Sequence, residues 1–352
     1  MADLANSLVA RGHEVHAALR PNSPLIKELP GLAKENISTL PLRNALDAAS
    51  ARKLERYAHK HEIQILHAHM ARDYPLASYA TRRNPGSKLI ITRHVLFPLH
   101  RLHSITLSQV ARVIAVSGAV AREVQSQRLL AAERIVVVPN GIDLERFAQA
   151  RSQPARNTFR GQWNIREDEF LIGTVGEITP LKGHEEFLRA ASIIVSRFPG
   201  TKFLIAGMDA SHNRNNLAAL ESLIVQLNLG GSVRVIGWVE DLVSLYGALD
   251  VFVSASHTES FGLAIAEAMA SNTPVVATGT EGAKEIIIDR ESGVLVPVGD
   301  AAALAAAIID LLGDENKRRH LAVSGRQRIQ AQFSLERMVD ETERIYREVL
   351  DE

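Results

Sequence analysis

Cysteine is absent from all 352 residues, which excludes a disulfide framework and thiolate chemistry and fits a reducing compartment. Also absent is any run approaching the ~20 apolar residues that a membrane-crossing helix needs. No charged segment followed by a signal-type apolar stretch opens the chain. These absences point to a cytoplasmic protein, soluble or peripheral at the inner membrane face. No stretch is compositionally biased, and with 46% apolar and 23% charged residues a packed globular chain is favoured over a disordered one. Carboxylates are missing between Tyr74 and Arg122, where Arg82, Arg83, Lys88, Arg93, Arg101, Arg112 and Arg122 fall with His94, His100 and His103. The formal net charge is zero, yet residues 1–156 carry 22 Lys+Arg against 12 Asp+Glu. That asymmetry fits an anionic partner, and equally a solvated basic surface balanced by the acidic half across a domain cleft.

The length suits two domains at roughly 150 residues each. Leu4, Leu8 and Val9 fall at helical spacing before Gly12, and Glu14–Leu19 then reads as a strand, so the chain opens on a helix. Parallel α/β domains normally open on a strand, whose turn into the helix lies at the ligand-binding edge. A first strand is thus expected to be missing here, with impaired catalysis and reduced stability as consequences. Short buried strands at 63–68, 88–92, 113–116 and 134–138 are separated by helical stretches such as 46–61 and 118–127. The polar segment 148–160 reads as the interdomain linker. Strands at 170–175, 202–206, 233–236, 251–253, 274–277 and 294–296 follow, with helices at 185–197, 215–227, 242–248, 262–269 and 301–312. Short apolar strands alternating with helices predict parallel sheets covered on both faces. This gives one parallel-sheet domain over 1–150 and a second over 151–334. A C-terminal helix over 335–352 is expected to pack back toward the first domain.

Glu259-Ser-Phe-Gly-Leu-Ala-Ile-Ala-Glu267 places two carboxylates around a glycine at the start of a helix, directly after a strand. Free N–H groups at Phe261, Gly262 and Leu263 suit a diphosphate there, since the helix dipole favours an anion and Gly262 lets it approach. Carboxylates accept well from vicinal hydroxyls, so a ligand with sugar and ribose at either end of a diphosphate matches this spacing. A lone pair of glutamates so spaced also suits an ordinary surface helix, and the neighbouring segments decide.

Gly176-Glu-Ile-Thr-Pro-Leu-Lys-Gly183, Gly237-Trp-Val-Glu-Asp-Leu242, Asp250-Val-Phe-Val-Ser254 and Glu281-Gly-Ala-Lys-Glu285, with the E-x₇-E segment, resemble the retaining glycosyltransferases of family 4. In the first half Arg11-Gly-His-Glu-Val15, His67-Ala-His69, Thr92-Arg-His94 and Val138-Pro-Asn-Gly-Ile-Asp143 extend the resemblance over nearly the whole chain. It implies the GT-B fold: two Rossmann-like parallel-sheet domains facing a cleft, with residues 1–150 on the acceptor side and 151–334 binding the nucleotide-sugar donor. It also implies that Glu267 binds the donor ribose, Glu259 orients the transferred sugar, Lys182 meets the diphosphate and Val239 lies where backbone reads the nucleobase. His94 falls where the family places a group near the anomeric centre, with His69 and Arg93 as acceptor-side candidates. His67 and His69 flank Ala68 on one strand face, so a metal reading is open as well as a cleft-lining or structural one. Trp238 suits either the base loop or the core.

Glu177 departs from the family, which usually has arginine there, and an acid beside a diphosphate is unfavourable. The implied activity is sugar transfer from a nucleoside-diphosphate sugar to an acceptor hydroxyl in glycan or glycolipid synthesis. No obligatory cofactor or metal and no nucleic acid is expected. The basic first half suggests a lipid-linked or otherwise anionic glycan acceptor and peripheral membrane contact. Two competing readings are a nucleotide-sugar-binding protein without turnover and a nucleotide-sugar epimerase. A Rossmann dehydrogenase is disfavoured, because no G-x-G-x-x-G follows a first strand.

Overall fold

A computed structural model describes residues 1–99 and 103–352, so His100 and Arg101 of the basic run lie outside the described residues. The chain divides into two compact units, one of residues 1–141 with 335–352 and one of residues 142–334. No helix among the described residues is long and apolar enough to cross a membrane.

The first unit runs α1 (Ala2–Ala10), β1 (Ala17–Leu19), β2 (Ile37–Thr39), α2 (Ala48–Lys60), β3 (Ile65–Ala68), α3 (Tyr74–Arg82), β4 (Lys88–Arg93), α4 (His103–Leu107), β5 (Val110–Ala115), α5 (Gly118–Ser126) and β6 (Ile135–Val137). Side-chain caps fix two helix starts: Asp47 accepts from the Ser50 amide and Ser117 from the Val120 amide, each satisfying an orphan N–H of the first turn. The parallel strands form two sheets. β1 pairs only β2, and β3–β4–β5–β6 form a separate four-stranded sheet. Cavities of 380 and 520 Å³ lie where β1 and the segment around β3 both contribute lining. The C-terminal helix Leu335–Asp351 belongs to this unit and buries Ile345 and Val349 against Ile90, Ile114 and Val138, and Val339 against Leu4 and Leu8.

The second unit runs α6 (Gln153–Gln162), β7 (Leu171–Val175), α7 (His184–Arg197), β8 (Lys202–Ala206), α8 (Asn215–Gln226), β9 (Val233–Ile236), α9 (Leu242–Ala248), β10 (Val251–Ser254), α10 (Leu263–Ala270), β11 (Val275–Thr278), α11 (Glu281–Ile286), β12 (Val294–Val296), α12 (Ala301–Gly313) and α13 (Glu315–Gln332). The C-terminal helix is α14 in this order. The segment expected to be linker thus carries α6. Its polar surface hides a tertiary anchor: Arg156 and Arg160 reach Asp250 at 2.8 and 3.3 Å, ahead of β10. All six strands are parallel, in the order β12-β11-β10-β7-β8-β9. Strand order reverses between β7 and β10, and in open parallel sheets the crevice beyond the carboxyl ends at such a switch point receives ligands. The loops there are 176–183 and 255–262.

Candidate functional site

A charged residue from each loop at the switch point meets its counterpart from the other. Lys182 ends the loop after β7, and Glu259 lies in the turn between β10 and α10. The Lys182 Nζ donates to Glu259 Oε1 at 2.6 Å, and the Ser256 hydroxyl donates to the same oxygen at 2.8 Å. The Glu259 side chain is only 14% exposed against 30% for Lys182, so the carboxylate is held from within while the ammonium keeps an approach from solvent.

Gly262 precedes α10 with φ 109°, a left-handed conformation that L side chains rarely adopt. Leu263 opens the helix half in solvent, whereas Phe261 is buried with its ring edge-on to Phe333 at 5.6 Å. The first turn of a helix leaves its leading N–H groups without intrahelical partners, and the dipole makes that end positive. Glu267 lies on α10 and is half-buried; the fully buried Tyr246 of α9 donates its phenol to Glu267 Oε2 at 2.8 Å.

Glu177 is exposed, and its backbone carbonyl accepts from His184 Nε2 at 3.1 Å. Val239 is half-buried in the loop after β9, and Trp238 beside it is 76% exposed. That exposure settles Trp238 as a surface side chain of the loop and not a core one.

The remaining sequence candidates lie in the first unit. His69 follows β3 and His94 follows β4, and the pairing of these strands brings His69 Nδ1 to 3.2 Å from His94 Nε2. His67 stacks on His69 at 4.3 Å and joins Tyr346 Oη at 2.5 Å and Thr92 Oγ1 at 2.7 Å. Burial is the main cause holding His67 down to about 3 and His94 down to about 4, and it holds His69 well below the ordinary value. These imidazoles are neutral at pH 7. No group of three or more His, Asp or Glu side chains placed to hold a metal ion occurs among the described residues. Arg93 is buried and donates to the Phe97 carbonyl.

Sequence reasoning missed Tyr246 and Ser256. Ser256 lies three residues before Glu259 and was legible as a loop hydroxyl. Nothing in the spacing of Tyr246, 21 positions from its partner, marks it.

Two Rossmann-like parallel-sheet units, the second with a charged pair and a helix start at its switch point, define a GT-B protein. Residues 155–328 match the family described as Glycosyl transferases group 1, and residues 1–146 match Glycosyltransferase Family 4. The chain belongs to the family 4 glycosyltransferases. It is 31% identical over 261 residues to the capsular polysaccharide biosynthesis glycosyltransferase CapM of Staphylococcus aureus, covering 73% of this chain and 66% of that one. It is 29% identical over 350 residues to the phosphatidyl-myo-inositol mannosyltransferase of Mycolicibacterium smegmatis, covering 93% and 83%. The chain spans 51–66% of the length of the first curated relatives it matches. The solved structure of Anabaena Alr3699/HepE in complex with UDP and glucose shares the fold, with TM-score 0.85, 21% identity and coverage of 97% and 93%.

Proposed function

We propose that this protein transfers a sugar from a nucleoside-diphosphate sugar to an acceptor hydroxyl, with retention at the anomeric carbon. The observation that carries this is the Lys182–Glu259 pair at 2.6 Å beside the start of α10. A cation, a sugar-binding carboxylate and a positive helix end converge where a diphosphate sugar would lie. The UDP and glucose bound by the Anabaena protein support a donor of this chemical class. We assign donor binding to the second unit and acceptor binding to the first, with His69, His94 and Arg93 on the acceptor side.

In this reaction the bond from the anomeric carbon to the diphosphate oxygen breaks with its electron pair passing to the diphosphate. The acceptor oxygen bonds to the same carbon on the same face, and its proton passes to the leaving phosphate oxygen. Lys182 and the α10 amides stabilise the charge that develops on the leaving group. For Lys182 to serve the diphosphate it turns from Glu259, which then accepts from the sugar hydroxyls. Glu267 accepts from the ribose. The basic first half suits a lipid-linked or otherwise anionic glycan acceptor, with peripheral contact at the cytoplasmic membrane face.

The test is binding and turnover with a panel of UDP-, GDP- and ADP-sugars. Glu267→Ala is expected to weaken donor binding roughly tenfold to a hundredfold, the scale of a lost hydrogen bond to a charged group. Lys182→Ala is expected to lower kcat on the order of a hundredfold, as removal of one charge-stabilising donor does elsewhere. If no nucleotide sugar binds the wild-type chain, the reading fails. Glu177, an acid where arginine is usual, favours a second reading, a protein that binds the donor without turning it over. Binding with no release of nucleoside diphosphate in the presence of acceptor would decide for it.

A further inference from the structure

Behind the α10 carboxylate lies a buried titratable group that the proposed reaction does not use. Tyr246 on α9 is 0% exposed, and its hydroxyl donates to Glu267 Oε2 at 2.8 Å. Its ring is locked by edge contacts to Phe147 at 6.2 Å and Phe252 at 5.5 Å. Its backbone carbonyl accepts from the Thr273 hydroxyl at 2.8 Å. Burial, and then the neighbouring Glu267 carboxylate, raise the phenol well above its ordinary value, so it remains a donor throughout the working range.

We infer that Tyr246 is a positioning residue that fixes the Glu267 carboxylate for the hydroxyls of the donor ribose; this rests on the reading of Glu267 given above. A free glutamate on a helix loses side-chain rotamer freedom when a ligand orders it. A carboxylate already held by an immobile phenol has met that loss on folding, so the ribose binds a preorganised acceptor. A tyrosine that only fills the core would need no such bond, and phenylalanine would fill the same volume.

The experiment compares wild type, Tyr246→Phe and Glu267→Ala by calorimetric titration. The probes are whichever of UDP, GDP and ADP binds tightest and its 2′,3′-dideoxy counterpart. Wild type is expected to prefer the ribose form, and Glu267→Ala to show no preference. In Tyr246→Phe the preference falls roughly threefold to tenfold, the scale of immobilising one side chain, while affinity for the dideoxy form stays at the wild-type value. Phe147→Leu, which loosens the ring and keeps the phenol, is expected to lower the preference by a smaller factor and serves if Tyr246→Phe does not fold. Full preference in the folded variants overturns the inference and leaves the Glu267 reading intact. Absence of any preference in wild type overturns both.

Discussion

Lys182 and Glu259 are 77 positions apart in sequence and 2.6 Å apart in space. Each was legible by itself, Glu259 from its place in E-x₇-E and Lys182 from the loop that resembles the family's. Their mutual pairing was not, because it depends on β7 and β10 being neighbours. Tyr246 was not legible at all, since a tyrosine on a buried helix carries no local mark of the carboxylate it holds. The histidines near β3 and β4 carry a pH prediction. The unfolded chain protonates its histidines near the ordinary value of 6.5, whereas folded His67 and His94 resist until about 3 and about 4. Stability is therefore unaffected by these groups above pH 6.5 and is lost as pH falls from there toward 4. Urea unfolding of the whole chain between pH 7 and 4.5 is expected to show this loss, with a shallower slope in His94→Gln. Equal slopes in both proteins would mean that His94 titrates normally in the folded state.

At the scale of elements, the turn before α10 is shaped from below by α11. The Gly282 amide donates to the Glu259 carbonyl at 3.2 Å. A Cβ on Gly282 would meet the Phe261 carbonyl oxygen at 2.6 Å and the Glu259 carbonyl oxygen at 2.7 Å. Both are backbone atoms, so the turn itself must move. Gly282→Ala is expected to weaken donor binding on the order of tenfold or more, since small misplacements at a binding site have large effects. Wild-type affinity in a folded Gly282→Ala protein would show that the turn tolerates displacement. Elements with clear apolar periodicity, such as α7 and α12, were legible nearly to their ends. α6 and α13 were not. In α6 the buried residues are Phe159 and Arg160, and in α13 Leu321, Ala322, Gly325 and Ile329 are the buried residues of an 18-residue helix. Such sparse, partly polar faces give a periodicity count little to detect.

For the whole molecule, the first unit is completed by the other end of the chain. Ile345 of α14 is fully buried in a cluster with Ile90, Ile114, Val138 and Val349. Ile345→Ala is expected to cost roughly 2–4 kcal/mol, the usual range for such a truncation, read as a lower denaturation midpoint. Nucleotide affinity, assigned to the second unit, should stay at its wild-type value, and a parallel loss of affinity would refute that division of labour. The sequence by itself determined the alternation of strands and helices, the parallel sheets and the family, because local periodicity and short motifs are written in contiguous residues. It also determined which turn and helix carry the paired glutamates. Only the tertiary structure decided the strand order, and with it the switch point that brings the loops after β7 and β10 together. Only it separated β1–β2 from the four-stranded sheet, anchored α6 on Asp250 and placed a phenol behind Glu267. Those facts arise from contacts between residues far apart in the chain, and such contacts leave no local pattern to read.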